Sequence, residues 1–234
     1  MVIFPGGTGV SGLEVYTWEA ADGCHGGSPH LHTACTEGYV VVEGRGELET
    51  LTPAGHTRVP LRPGTVAWFT PGTVHRAVNH GGLRVLVVMQ NAGLPEAGDA
   101  VLTFPPEVLG DADAYRIAAS LDPGDPEGSA RRRRDLAVEG FQILRDHLTR
   151  GDPGPLLELY RQAVELVRPQ AAAWRDIVAA GPTAALAATS RQIDALMAGD
   201  GGHLREAEVR KLDAPTPDDR AFGMCGRLET YRPA

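Results

Sequence analysis

Hydrophobic and polar residues alternate over much of the first 105 residues, and glycine or proline separates the alternating runs. Side chains of a β-strand point to opposite faces in turn, so a period of two predicts strands. The two glycines after His80 predict a hairpin turn before the last long run. The runs with this character are 11–18, 37–42, 46–51, 58–61, 66–69, 83–90 and 101–104. About seven or eight short strands with such turns predict a barrel or a sandwich.

The period changes to that of an α-helix in the second half of the chain. Residues 106–121 can form a helix, and the stretch 121–129, rich in proline and glycine, has the composition of a linker. Apolar residues then recur at helical spacing. The predicted helices span about 132–149, 155–168, a segment ending at 180, and 182–198, and the stripe of the first is Leu136, Ile143, Leu144 and Leu148. The tail from 214 onward has mixed character and is a candidate to pack back on the barrel.

A group of metal-binding residue types begins after the first predicted strand. His30 and His32 are two residues apart, so on a strand both imidazoles point to the same side and can reach one ion. Glu37 opens the next strand, and the turn before His75 delivers a third imidazole to another. If His75 faces the same interior, the set is three imidazoles and one carboxylate. Such ligands suit iron, manganese, nickel, cobalt or zinc, and do not suit calcium or copper(I).

The spacing of these residues resembles two motifs of the cupin superfamily. The motifs are His-x-His, four residues, Glu, six residues, Gly, and then Gly-x-x-His-x-x-x-Asn. Two positions differ from the usual pattern, because Cys24 stands where the first motif has glycine and Thr70 where the second has proline. Both differences concern loop shape. The resemblance implies that the three histidines and Glu37 occupy the four metal-ligand positions.

The resemblance also implies a fold. It covers about residues 1–105, which are expected to form a double-stranded β-helix, or jelly-roll, barrel. A short helix and linker over 106–129 and a helical region over 130–234 would follow, giving a mainly β fold with α-helices. The helical region carries no histidine or carboxylate cluster at ligand spacing, so we expect it to pack on the barrel or to build a homodimer.

Three functions are consistent with these residues. By resemblance to metal-dependent cupins, an oxygenase or other oxidoreductase acting on a small polar molecule comes first. Glu37 would then be a ligand or a proton acceptor, and Tyr39, on the same strand face, a hydrogen-bond donor to the substrate. A sugar or sugar-phosphate isomerase or epimerase is the second, with Tyr39, Glu37 or His80 as the base. A small-molecule-binding barrel without enzymatic activity is the third.

Other residues are weaker candidates for the site. Alternation allows only one of Trp68 and Phe69 to face inward, and Arg84 and Gln90 are candidates to line the cavity. Cys24 and Cys35 flank the proposed ligands, although small buried side chains are the more common role of such cysteines. The four arginines 131–134 resemble an anion-binding patch, but acidic neighbours favour a solvated, locally neutralised helix end or a partner contact.

Composition narrows the partners and the location. The 234 residues are 42% hydrophobic and 22% charged, as in an ordinary soluble globular protein. A net charge of −8 argues against nucleic acid, which binds basic surfaces. No apolar run approaches the ~20 residues that span a bilayer, and the N-terminus does not resemble a signal peptide. We therefore expect a cytoplasmic protein without a membrane or nucleic-acid partner.

Overall fold

The structure is a computed structural model that describes residues 4–231. Residues 1–3 and 232–234, which the sequence analysis assigns to the barrel and to the helical region, lie outside the described residues. The strands are β1 Gly9–Val15, β2 His30–His32, β3 Glu37–Thr52, β4 Gly55–Leu61, β5 Val66–Phe69, β6 Val74–Met89, β7 Ala100–Leu102, β8 Ala221–Phe222 and β9 Gly226–Thr230. The helices are α1 Pro106–Leu109, α2 Ala112–Ala119, α3 Pro126–Thr149, α4 Gly154–Ala171, α5 Trp174–Val178 and α6 Ala184–Met197. Strands followed by helices are the predicted fold class, which is confirmed.

The strands form an antiparallel sheet around the long pair β3 and β6. The order along its main path is β4, β3, β6, β1, β9, β8, while β5 pairs with β3, and β2 lies between β6 and β7. Alternate side chains of β3 and β6 face the interior, where Tyr39, Val41, Val85 and Val87 are buried. The predicted tail contact is also present, because β9 pairs with β1 from Ser11 to Val15. The sheet therefore takes strands from both ends of the described chain.

The hairpin predicted at residues 80–82 is wrong. Strand β6 continues through these residues and pairs with β3 at both ends, Glu37 opposite Met89 and Leu51 opposite Val74. The register shifts between Val41 and Gly46, where the two strands bend together. A Cβ atom on Gly44 would collide with the backbone of Gly82, so glycine allows the close approach. The glycines form a bulge within two long strands instead of separating shorter ones.

The helices differ from the predicted ones mainly at their ends. The predicted helix over 106–121 is two helices, because the side chain of Asp111 caps α2 by accepting from the backbone N–H groups of Asp113 and Ala114. Helix α3 begins inside the predicted linker, at Pro126, with Asp125 as its cap. Helix α4 passes Pro169 and ends at Ala171. Asp125 followed by Pro126 is a signal for the start of a helix, so α3 begins within the stretch that was predicted to be a linker.

The junction near residue 180 also differs. A π-helical turn, Ala179–Thr183, joins α5 to α6, where two separate helices were predicted. A Cβ atom on Gly7 would collide with Pro182, so the N-terminal segment packs tightly against this turn. A contact between distant parts of the chain therefore shapes this junction.

Helix α3 packs on the barrel with a different face from the predicted one. Leu144 is buried, but Leu136, Ile143 and Leu148 are only half-buried. The buried face of the helix is Ser129, Ala130, Arg133, Arg134, Ala137, Val138, Gly140, Phe141 and Leu144. Small residues on this face allow a close approach, and a Cβ atom on Gly140 would collide with the backbone of Thr103. This close packing holds α3 against the end of β7.

Two of the four consecutive arginines are buried, which corrects the prediction of a solvated helix end. Arg131 and Arg132 do pair with the nearby acids Glu127 and Asp125. Arg133 and Arg134, however, are 8% and 1% exposed. Helix geometry places residues 130, 133, 134, 137 and 141 on one face, so the run divides between solvent and interior. Among the described residues, no helix is long and apolar enough to cross a membrane.

Candidate metal centre

The four predicted ligands lie together inside the barrel. His30 and His32 are on β2, Glu37 opens β3, and His75 is near the start of β6, directly opposite His30. One ligand atom from each residue lies within 4.8 Å of the others, and all four residues are buried. Helix α4 supports the turn before His75, because the Tyr160 hydroxyl donates to the carbonyl of Gly72 at 2.7 Å. The structure therefore brings together residues that are up to 45 positions apart in the chain.

Hydrogen bonds orient the imidazoles. The Nδ1 atom of His30 donates to the carbonyl of Ser28 at 2.9 Å, and that of His75 donates to the carbonyl of Thr73 at 3.1 Å. In each case the acceptor is a backbone oxygen, so Nδ1 carries the hydrogen and Nε2 keeps its lone pair. Metal-binding histidines in proteins are commonly held in this way.

Asp99 orients the third imidazole. Its Oδ2 atom lies 3.0 Å from Nδ1 of His32, and the side chain is fully buried. The backbone N–H groups of Thr33, Ala34 and Cys35 also donate to this carboxylate, at 3.0, 2.7 and 3.1 Å. Burial opposes ionisation of this carboxyl, but the hydrogen bonds from the side chains of His32 and Thr33, together with the backbone of Ala34, outweigh it and lower the pKa of Asp99 to about 2. A fixed carboxylate behind His32 holds the ring orientation and increases the basicity of Nε2.

The inner ligand atoms converge without satisfying one another. Oε2 of Glu37 lies 3.0 Å from Nε2 of His32 and 3.2 Å from Nε2 of His75. Even so, Oε2 of Glu37 and Nε2 of His75 have no well-formed hydrogen bond within the described residues. Buried polar atoms without partners are costly unless something else binds them. The donor set and its unsatisfied atoms fit a divalent transition metal.

The electrostatics of the metal-free protein are consistent with such a site. Burial, reinforced by the other imidazoles, holds the pKa of His30 well below its ordinary value, so this ring is neutral. Burial opposes a charge on His32, but the carboxylates of Asp99 and Glu37 outweigh it and raise its pKa to about 9. Burial would also raise the pKa of Glu37, yet the rings of His32 and His75 hold it well below its usual range. Without metal, a proton on His32 therefore compensates the Glu37 charge.

Three of the four candidate ligands, His30, His32 and Glu37, line a cavity of about 280 Å³. Its other walls are largely apolar and include Leu13, Val87, Met89, Phe222, Met224 and Leu228. Tyr39 also lines it, as the sequence predicted, and is 1% exposed. The Tyr39 hydroxyl has no hydrogen-bond partner among the described residues. Burial, with the Glu37 charge, raises the pKa of Tyr39, so the phenol is protonated and available as a donor.

Several weaker candidates lie outside this cavity. Gln90 is exposed. Arg84 points away from the interior and pairs with Glu43 and Glu229. Both predictions are wrong, because alternation along β6 directs Val87 and Met89 inward instead. His80 lies on the surface, 3.8 Å from Glu47, and is too remote to act as a base in the cavity.

The expectation for the aromatic pair on β5 is confirmed. Trp68 is 72% exposed, whereas Phe69 is buried and its ring centroid lies 4.0 Å from that of His75. Cys24 is half-buried, and Cys35 is buried beside Asp99. Neither cysteine is among the residues that line the cavity.

Sequence reasoning missed three residues beside the ligands. Asp99 orients His32, the Sγ atom of Cys225 lies 4.0 Å from Nδ1 of His30, and Arg133 lines the cavity. Asp99 and Cys225 are 67 and 195 positions from their histidine partners, so local periodicity holds no signal for these two residues. Arg133 is buried because it lies on the face of α3 that packs on the barrel. The apolar stripe predicted for α3 indicated a different face.

Comparison with known proteins adds family information. The family model of the cupin domain matches residues 16–89. None of the curated proteins compared with the chain matches its sequence.

The solved structures to which the chain is similar have low sequence identity to it. An uncharacterized conserved protein with a double-stranded β-helix domain from Klebsiella pneumoniae is 20% identical, with a TM-score of 0.29, over 38% of this chain and 69% of that chain. An RmlC-like cupin protein from Desulfovibrio desulfuricans is 21% identical, with a TM-score of 0.29, over 38% and 76%. A sugar 3,4-ketoisomerase from Thermoanaerobacterium thermosaccharolyticum, solved with TDP, is 11% identical, with a TM-score of 0.30, over 40% and 87%.

Proposed function

The protein belongs to the cupin superfamily through the domain at residues 16–89, and from this premise we propose that it is a metal-dependent enzyme. The proposed substrate is a small polar organic molecule, and the proposed reaction is that of an oxygenase or another oxidoreductase. One observation carries the proposal. Every Nδ1 atom of the three histidines is bound to an oxygen outside the cluster, which leaves the Nε2 atoms and the Glu37 carboxylate directed to one point.

This donor set leaves room for chemistry. Three imidazoles and one carboxylate would occupy four positions of an octahedral ion, so two positions would be open to small molecules. A metal bound there would supply Lewis-acid or redox chemistry. Iron, manganese, nickel, cobalt and zinc all suit the donors, and the geometry of the ligands does not select one of them.

The protein itself would bind and orient the substrate. The apolar walls exclude water, which strengthens each polar contact inside the cavity. The Tyr39 hydroxyl would donate a hydrogen bond to a substrate oxygen as negative charge develops on it. Glu37 would remain an ionised ligand or accept a proton from the substrate.

The isomerase alternative has fewer residues to support it. It requires a base near the substrate, and His80, one of three candidates, lies outside the cavity. Tyr39 and Glu37 remain for that role. The proposed homodimer stays a prediction.

Metal analysis tests the proposal. Protein purified without chelator should contain about one divalent transition metal per chain, and His75→Ala should lose it. His80→Ala is the matched control, because it removes a histidine from the same strand outside the cavity, and it should retain metal. Stoichiometric metal in His75→Ala would show that His75 is not a ligand.

Oxygen uptake then separates the reaction classes. The metal-loaded protein should consume oxygen with one member of a panel of catechols, flavonols and 1,3-diketones. A zinc-containing protein without oxygen uptake would overturn the oxidoreductase proposal and favour isomerisation or binding.

A further inference from the structure

Arg133 is a buried cation without an anionic partner. Its side chain donates from Nη1 to the carbonyl of Ala119 at 3.2 Å and from Nη2 to the carbonyl of Gly223 at 2.7 Å. Its Nε atom is buried and has no partner within residues 4–231. The three neighbouring arginines, at 131, 132 and 134, each form a salt bridge, whereas the described residues provide none for Arg133.

Such an arrangement is costly in a folded protein. A guanidinium has five N–H donors and remains charged at neutral pH even when burial lowers its pKa. Two carbonyl oxygens satisfy only part of this capacity and do not compensate the charge. A purely structural role, holding both the end of helix α2 and the turn at Gly223 against helix α3, accounts for the two carbonyl contacts. It does not account for the unpaired Nε or for the missing counter-charge.

Arg133 lines the same cavity as the candidate ligands His30, His32 and Glu37. The other titratable side chains in the lining are Glu96, which is exposed, and the buried Tyr39 and Cys225. Three imidazole ligands, one carboxylate ligand and a divalent ion would together carry a net charge of about +1, to which Arg133 adds another. The interior would therefore attract anions although the chain as a whole carries −8.

We propose that the substrate is a small oxyanionic compound, carrying a carboxylate or phosphate group, and that Arg133 binds this group while the rest of the molecule faces the metal centre. This inference rests on the proposed function and names its substrate class. Nε and Nη2 share one edge of the guanidinium, and this edge suits a side-on, two-point contact with an oxyanion.

Binding to the metal-loaded wild-type protein provides the first test. Isothermal titration calorimetry would compare butanoate, its neutral isostere butanamide, and inorganic phosphate. We expect butanoate or phosphate to bind at least about 10-fold more tightly than butanamide, since one charge-assisted contact contributes at least that factor. The tighter of the two anions identifies the group. Equal binding of butanoate and butanamide, or no binding of either anion, would overturn the proposal.

Variants then assign the binding to Arg133. Arg133→Gln keeps a donor near Gly223 but removes the charge, and its affinity for the preferred anion should fall about 10- to 100-fold. Arg133→Lys keeps the charge and should recover part of the affinity. Arg132→Gln changes the net charge of the same helix by the same amount at an exposed position, and should bind as wild type does.

Metal content, measured on the same samples, separates the two proposals. Arg133→Gln with wild-type metal content and wild-type anion affinity would overturn the role of Arg133 while leaving the metal centre intact. Wild-type protein that binds no metal would instead contradict the proposed function. If Arg133→Gln does not fold, the Arg133→Lys variant provides the test. The proposal is overturned if this variant binds the preferred anion as tightly as the wild type does and binds butanamide as tightly as butanoate.

Discussion

Replacing Asp99 by Asn should weaken metal binding although Asp99 does not touch the metal position. Oδ1 of Asp99 accepts from the backbone of Thr33 and Ala34 and from the Thr33 hydroxyl, the last at 2.7 Å. Oδ2 accepts from Nδ1 of His32 and from the backbone of Cys35. Asparagine keeps the shape of the side chain, but its amide nitrogen is a donor. In either orientation, this nitrogen would face N–H donors.

The size of the effect follows from these contacts. The amide would turn its oxygen to one side and lose the charge-assisted bonds on the other, each worth about 1.5–3 kcal/mol. If the His32 contact is lost, the ring is free to rotate or change tautomer. Loss of an outer partner of this kind typically reduces metal affinity by about 10- to 100-fold. We therefore expect weaker Zn²⁺ binding together with a lower free energy of unfolding of the metal-free protein.

A competition titration against a chromophoric chelator would measure Zn²⁺ affinity, and urea unfolding of the metal-free protein would measure stability. Asp22→Asn is the matched control, because Asp22 is another buried carboxylate, 2.6 Å from Arg76, outside the metal cluster. This control should lose stability and keep its Zn²⁺ affinity. Wild-type affinity in Asp99→Asn, or an equal loss in Asp22→Asn, would refute the positioning role of Asp99.

Three further predictions concern the cavity, the acid range and the tail. Tyr39→Phe should keep metal content and stability but lower turnover by roughly 10- to 1000-fold; an unchanged rate would make Tyr39 a packing residue. Burial opposes ionisation of Asp22, but the hydrogen bond from Arg76 outweighs the effect of burial and lowers the pKa of Asp22. The stabilisation from this ionised group is present above the unfolded-state pKa of about 4 and is lost as pH falls below it. Urea unfolding against pH should show this loss, and a wild-type pH slope in Asp22→Asn would contradict it. Deleting residues 220–234 removes β9 from β1 and one wall of the cavity, so the melting temperature should fall clearly; an unchanged value would show that the tail does not support the barrel.

Local sequence patterns predicted the elements whose signals are local. Strand β5, Val66–Phe69, has the predicted bounds, because an apolar run between two proline–glycine turns can hardly extend further. The two-residue period predicted that only one of the neighbours Trp68 and Phe69 faces the interior, and the structure shows that this residue is Phe69. The glycine pattern gave a wrong prediction where the glycines serve a tertiary contact. The glycines at 81 and 82 have the composition of a hairpin turn, but here they let β6 bend against β3.

The sequence alone indicated the four residues of the candidate ligand cluster, partly through local spacing and partly through the resemblance to the cupin motifs. Two histidines two positions apart on a strand share a face, and the strands that follow carry Glu37 and His75. Tertiary structure decided what surrounds that set. Asp99 lies behind His32, and Arg133 enters the cavity wall, because sheet pairing and the packing of α3 bring these segments together. Such contacts depend on which faces bury the most apolar surface across the whole chain, and no short stretch of sequence encodes that choice.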